Sequence, residues 1–290
     1  MKGYTEKIRI MKRLPIIILM ALVTMSAGAR KQKTLLVLHT NDTHSCILPL
    51  KEVLADTSLA GRGGYLRRIA MLKEERQKHP DLLLFDSGDF SQGSSYYTMF
   101  KGDVEVELMN QMGYDAVTIG NHEFDFGLDN MVRIFRKANF PIVCSNYDFD
   151  DTELEDIVKP YITLKRQGVK IGVFALCPRM EGLVSAKNYG PLKFIDPAVA
   201  AQKYIDILRR QEKCDIVICL SHMGWAESEY TDEMVLRQIK DCDLVLGGHT
   251  HTYMPVLQYA PDKTGKQIPV DQNGKHGAFV GRLVLQLSRR

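Results

Sequence analysis

From Leu35 onward, short runs of β-branched and leucine residues alternate with longer segments in which apolar side chains recur every three or four positions. That alternation predicts an α/β layered domain. Strands are expected at 35–39, 82–85, 116–119, 141–144, 216–220 and 244–246, and helices at 65–78, 104–112, 128–138, 197–212 and 229–240. Asp103 is placed to cap the second helix and Gly113 to end it, and Asp196-Pro197 combines a capping carboxylate with proline at the first helical position. Residues 162–176, broken by Gln167-Gly168, read as a β-hairpin, and 278–287 as a final strand. A hairpin inside the alternation predicts mixed rather than purely parallel sheets.

The first residues follow a different pattern. Met11-Lys12-Arg13 is a basic start, Leu14 to Val23 an apolar run, and Ala27-Gly28-Ala29 a small-x-small cleavage site. Residues 1–29 therefore read as a secretory signal peptide, with Met11 an alternative start, and 30–290 as one domain. The apolar run is well short of the roughly twenty residues that span a bilayer, so no stable membrane anchor is expected. The mature chain is expected to be secreted or periplasmic.

Removing the leader also changes the charge. The whole chain has 38 Lys and Arg against 35 Asp and Glu, and the leader holds Lys2, Lys7, Arg9, Lys12 and Arg13 but only Glu6. What remains is close to neutral and slightly acidic, which argues against a nucleic-acid polymer as partner. Six scattered cysteines do not form a disulfide framework for a chain of 290 residues. Cys214 and Cys242 do begin two similar segments, Cys-Asp-Ile-Val-Ile-Cys-Leu and Cys-Asp-Leu-Val-Leu-Gly-Gly. Were those strands side by side and level, the two thiols would meet in an oxidising compartment; buried free thiols are the alternative.

The chemistry is concentrated where five expected strands end: Asp42-Thr43-His44, Ser87-Gly88-Asp89, Gly120-Asn121-His122-Glu123, Ser221-His222 and Gly247-Gly248-His249-Thr250-His251. Ligand sites of open α/β sheets gather at the carboxyl ends of strands, so these clusters are expected to converge. Imidazole with carboxylate suits first-row divalent metals such as Zn, Mn, Fe or Co. In an extended segment, Asp-x-His and His-x-His spacing sends both side chains to one side. Two divalent ions set against Asp42 and Asp89 leave a net positive site that attracts phosphate. Such a pair can generate hydroxide from bound water near neutral pH to attack phosphorus, and can clamp the attacking and leaving oxygens. His39, His79 and His276 stand outside the clusters and read as ordinary surface or core residues. Asp86 and Glu123 read as supporting rather than ligating groups. Gly63-Gly64 lacks the Lys-Ser or Lys-Thr of a phosphate loop and reads as the start of the first helix.

These five motifs resemble those of the calcineurin-like metallophosphoesterases. Thr40-Asn41-Asp42-Thr43-His44 and Gly120-Asn121-His122-Glu123-Phe124-Asp125-Phe126-Gly127 further resemble the catalytic domain of secreted 5′-nucleotidases. The resemblance implies a four-layer α/β/β/α sandwich with mixed sheets. It also implies two metal ions, one held by Asp42, His44, Asp89 and His251 and the other by Asp89, Asn121, His222 and His249, with Asp89 bridging. His122, oriented by Asp125, is implied as the catalytic group beside the phosphoryl oxygens.

The substrate expected is a small phosphate ester, above all a nucleotide. The secreted 5′-nucleotidases carry a second, specificity-conferring domain, whereas this sequence ends at Arg290, directly after the final expected strand. A separate polypeptide supplying that domain therefore stays open as a partner. Two other readings remain: a stand-alone phosphodiesterase or phosphomonoesterase for cyclic nucleotides or other small esters, and a non-catalytic partner subunit, which the intact ligand set disfavours.

Overall fold

The structure is a computed structural model that describes residues 6–11, 33–226 and 229–288. The apolar run and cleavage motif of the expected leader lie outside the described residues. Two sheets carry the architecture. The first has the order β1 (Glu6–Met11), β15 (Gly281–Ser288), β2 (Lys33–Thr40), β3 (Leu83–Asp86), β4 (Ala116–Thr118), β5 (Ile142–Val143) and β7 (Val158–Lys159). Strands β2, β3, β4, β5 and β7 are parallel, and β15 runs antiparallel to β2. The second sheet has the order β13 (Gln258–Pro261), β14 (Gln267–Asp271), β12 (Leu244–Leu246), β11 (Ile216–Ser221), β9 (Val169–Leu176) and β8 (Tyr161–Arg166). Its inner strands are parallel and its outer pairs antiparallel. Both sheets are mixed, as the sequence predicts. A short ribbon joins β6 (Tyr147–Asp148) to β10 (Lys193–Phe194).

Alternation along each strand makes the layers. Leu35 and Val37 of β2 and Leu83 and Phe85 of β3 meet Val169, Ile171, Ile216, Ile218, Leu244 and Leu246 in a core between the sheets. Their neighbours Leu36, Leu38 and Leu84 face the opposite way, onto α1 (Tyr65–Lys78), α3 (Asp103–Met112) and α4 (Gly127–Phe135). On the far face of the second sheet, Phe174, Val217 and Val245 pack against α6 (Pro197–Asp206) and α7 (Asp232–Leu236). Two sheets with a helical layer outside each make four layers, the α/β/β/α arrangement expected. Helices α2 (Ser95–Phe100) and α5 (Ala186–Tyr189) are short.

Some local expectations change. Asp103 does not cap α3: Gly102 occupies that position, and the Asp103 carboxylate takes Arg133 and Lys137 instead. Gly113 does end α3 in the left-handed conformation, and Asp196 caps α6 through Ala198 N and Val199 N. The segment expected as a helix at 229–240 is helical only over Asp232–Leu236, capped by Thr231. The β13–β14 hairpin was invisible in the pattern because Pro261 and Pro269 interrupt its apolar spacing.

The strands that carry Cys214 and Cys242 are indeed parallel neighbours, but they are not level. Ile218 pairs with Leu244, whereas level segments would pair Ile216 with Leu244. This two-residue slip carries Cys242 past Cys214, and both are buried free thiols.

Candidate metal centre

The five polar clusters leave the carboxyl ends of β2, β3 and β4 in one sheet and of β11 and β12 in the other, and they meet where the two sheets adjoin. Backbone hydrogen bonds lock the loops together. Asp42 N donates to Gly88 O at 2.9 Å, His44 N to Asp89 O at 3.0 Å and Ser45 N to Phe90 O at 2.9 Å, so the loop after β2 runs along the loop after β3. Ser87 Oγ donates to Leu246 O at 2.7 Å, and His249 N donates to the Asp42 carboxylate at 3.0 and 3.1 Å, joining the sheets. The buried Glu123 carboxylate accepts from Gly120 N at 2.6 Å, Asp89 N at 3.0 Å and Ser91 N at 3.0 Å. Asp86 accepts from Thr40 Oγ1 at 2.5 Å and Gly88 N at 3.0 Å. Both acids thus brace the loops, as read from the sequence.

All seven residues expected as ligands are brought together. His44 Nε2 lies 2.8 Å from His251 Nε2, and His251 Nε2 lies 3.5 Å from Asp42 Oδ1. His222 Nε2 lies 3.1 Å from Asp89 Oδ2 and 3.9 Å from Asp42 Oδ1, and His44 Nε2 lies 4.0 Å from Asp89 Oδ2. His249 Nδ1 lies 3.0 Å from Asn121 Oδ1, with its ring centroid 5.1 Å from that of His222. Three groups of possible ligand atoms lie within 4.8 Å of one another: Asp42, His44 and His251; His44, Asp89 and His122; and Asp42, Asp89 and His222.

The backbone achieves this by a route other than extended spacing. Asp42, His44, Asp89, His249 and His251 have φ of 47°, 44°, 53°, 74° and 54°, in the left-handed region rather than in extended segments. For residues with a Cβ, each such conformation costs about 1–3 kcal/mol and persists only where surrounding structure enforces it. Here the interlocked loop hydrogen bonds enforce it.

The electrostatics match a cation site. Burial lowers His44, His249 and His251 to about 4, so they are neutral imidazoles with a lone pair to offer near pH 7. Burial opposes charge on His222 as well, but Asp89 and Asp42 push it up to about 10. Burial opposes charge on Asp89, yet His222 and His44 hold its carboxyl well below the usual range. Burial pushes Asp42 up to about 8 against the pull of His222. A cation placed among these groups would favour the ionised form of Asp42 and displace the proton from His222. His222 Nδ1–H donates to Ser87 O at 2.6 Å, which orients the ring, and its buried Nε2 faces the Asp89 carboxylate. Neutral imidazoles at His44, His249 and His251, together with His222 facing two carboxylates, form a donor set that suits a divalent ion.

His122 sits at the rim. Its Nδ1 is 3.1 Å from Asp125 Oδ2 and 3.3 Å from Oδ1, and its ring lies 5.4 Å from that of His44. Burial works against the imidazolium, but the hydrogen bond to Asp125 and the charge of Asp89 raise its pKa above the ordinary histidine value. His276 is half-buried beside the centre, its ring 6.1 Å from that of His44 and its N–H donating to Asp42 O at 2.7 Å. Only its place in the loop before β15 reveals this, since no motif surrounds it. His39 is a satisfied core residue, 2.9 Å from Asp271 Oδ2, and His79 is exposed.

A four-layer sandwich with histidines and carboxylates converging at its strand ends defines a metallohydrolase type of fold and site. The calcineurin-like phosphoesterase family model matches residues 35–253, and the chain belongs to that family. Among curated proteins, the chain is 31% identical over 287 residues to a snake venom 5′-nucleotidase of Gloydius brevicauda, covering 91% of this chain and 46% of that protein. It is 28% identical to the Homo sapiens 5′-nucleotidase, covering 96% of this chain and 51% of the relative. Among solved structures, a 5′-nucleotidase precursor from Thermus thermophilus superposes with a TM-score of 0.77 at 28% identity, over 87% of this chain and 51% of the other. The Haemophilus influenzae NAD nucleotidase gives a TM-score of 0.77 at 26% identity, over 88% and 53%. The chain thus spans about half the length of these relatives. No helix among the described residues is long and apolar enough to cross a membrane.

Proposed function

We propose that this chain is an exported, metal-dependent phosphoester hydrolase acting on nucleotides. The observation that carries the reading is the convergence of two carboxylates, four histidines and Asn121 from five separate loops, with the histidine nitrogens facing the carboxylates. Asp42, His44, Asp89 and His251 would hold one divalent ion, and Asp89, Asn121, His222 and His249 the other, with Asp89 shared. Bound there, the ions supply charge for the phosphoryl oxygens and acidity for water.

The remaining work falls to the chain. Ser87 O orients the His222 ring. Glu123 fixes the Asp89 and Gly120 backbones, so the shared carboxylate is held without reorganisation. His122, its pKa raised by Asp125 and Asp89 against burial, would stand beside the phosphoryl group to stabilise its charge or to help the leaving oxygen depart. Nucleotides are the favoured substrate because the relatives that match along nearly the whole chain are named as nucleotidases. Export is supported by the basic start, apolar run and cleavage motif of residues 1–29. Cleavage there would also remove β1 and leave β15 at the sheet edge.

The test is turnover by the mature chain, reconstituted with Zn, Mn, Fe or Co, on nucleoside monophosphates, cyclic nucleotides and simple diesters. Phosphate release from monophosphates is expected. Turnover confined to diesters would replace the reading with a phosphodiesterase, and no turnover with any metal would overturn it.

A further inference from the structure

The loop that follows β14 carries no motif of its own, yet it lies against the metal centre. Strand β14 pairs in parallel with β12, with Asp271 opposite Leu246, so the chain leaving β14 continues beside the chain leaving β12. Gly247 N donates to Asp271 O at 2.8 Å, Met254 N to Gln272 O at 3.0 Å and Gly274 N to Thr252 O at 2.9 Å. Inside this backbone frame lies the side chain of Gln272, which is fully buried. Its Nε2 donates to Gly248 O at 2.8 Å, and its Oε1 accepts from Thr252 N and, at 3.5 Å, from Thr250 Oγ1. One amide thus spans the turn from Gly248 to Thr252, and His249 and His251 stand between its two anchors.

The side chain is matched to that span. Gly248 O needs a donor and Thr252 N an acceptor, and a primary amide presents both at a fixed separation. Methionine, of similar length, offers neither. An ionised glutamate offers acceptors at both ends and sets a lone pair against the buried Gly248 carbonyl. The turn depends on such a hold, because His249 and His251 have φ of 74° and 54°, left-handed conformations that a residue with a Cβ keeps only under constraint. The same loop also reaches the ligands that follow β2. Asn273 N donates to Asn41 Oδ1 at 2.9 Å, and Asn41 Nδ2 donates to the Asp42 carboxylate at 2.6 Å and to Gly274 O at 2.8 Å.

We propose that Gln272 is a positioning residue of the metal centre: its amide fixes the turn that presents His249 and His251, without itself touching ion or substrate. The assignment rests on the metal-dependent reading above and adds to it a sixth loop, the one after β14.

The test is a cobalt(II) titration of the purified chain followed by visible absorption, which reports the number and geometry of the ligands on the bound ion, with urea denaturation of the metal-free chain alongside. Gln272→Met should weaken cobalt binding about 10–100-fold, the usual effect of removing a group that orients a metal ligand, and should change the spectrum of the saturated centre. Gln272→Glu keeps the acceptor for Thr252 N and loses the donor to Gly248 O. It should show the same two changes, and it decides the matter if Gln272→Met does not fold. A lower urea midpoint with unchanged cobalt affinity and spectrum in the folded variants would make Gln272 a purely structural residue and overturn the proposal, leaving the metal-dependent reading in place. If the unmodified chain takes up no cobalt, that reading falls and the positioning role falls with it.

Discussion

Gly120 offers a sharp steric test of the centre. Its φ is not positive, so conformational freedom is not the reason for glycine here; close approach is. A Cβ at this position would stand 2.1 Å from Asp89 Oδ1, 2.5 Å from Asp89 N and 2.7 Å from Asp89 Cγ. An ordinary carbon–oxygen contact is about 3.3 Å, so Gly120→Ala must displace the shared carboxylate by about 1 Å. The side chain cannot simply swing aside, because the Asp89 backbone nitrogen is itself in the way and is bonded to Glu123. Overpacking of this kind costs about 1–3 kcal/mol of stability. A displacement of about 1 Å can cost about 10²-fold in rate, and disturbed ligand support costs about 10–100-fold in metal affinity. The assay is metal content by plasma mass spectrometry after dialysis against limiting metal, alongside kcat and chemical denaturation. Full metal content with an unchanged rate would refute the claim that Asp89 is held at this spot by the absence of a side chain.

Asp89→Ala should remove bound metal and turnover together; normal metal content in that variant would end its assignment as the shared ligand. His122→Ala should keep its metal and lose about 10²–10⁴-fold in kcat, and a full-rate variant would end its catalytic role. Because Asp125 raises the His122 pKa, the imidazolium persists to higher pH than in an ordinary histidine and activity should fall as pH rises through that pKa. Asp125→Asn should therefore move the alkaline limb of kcat/KM to lower pH, and an unmoved limb would contradict the pairing. Phe85→Ala, which empties a fully buried position between the sheets, should cost about 3–5 kcal/mol by urea denaturation; a loss below about 1 kcal/mol would contradict the two-sheet core.

Much of the fold was legible because alternation and helical spacing are local. Strand β12 and helix α1 fall where the pattern places them, and the Gln167-Gly168 turn does join two antiparallel strands. Where apolar spacing is interrupted, as at Pro261 and Pro269, local reasoning had nothing to report. The Cys214 and Cys242 case shows a second limit. The two similar segments are parallel neighbours, but a slip of two residues leaves every side chain on its original face, so alternation along the strands does not decide the register.

Which groups can gather is written in the chain: histidines and carboxylates at five strand ends, in an order and spacing that identify the family. How those groups meet was left to the folded molecule. Asp42, Asp89, Asn121, His222 and His249 come from distant parts of the chain, so their geometry depends on sheet order and on loop-to-loop hydrogen bonds that no local pattern encodes. The left-handed backbone at Asp42, His44, Asp89, His249 and His251, the bracing of Asp89 by Glu123 and the place of His276 beside His44 all arise from that convergence.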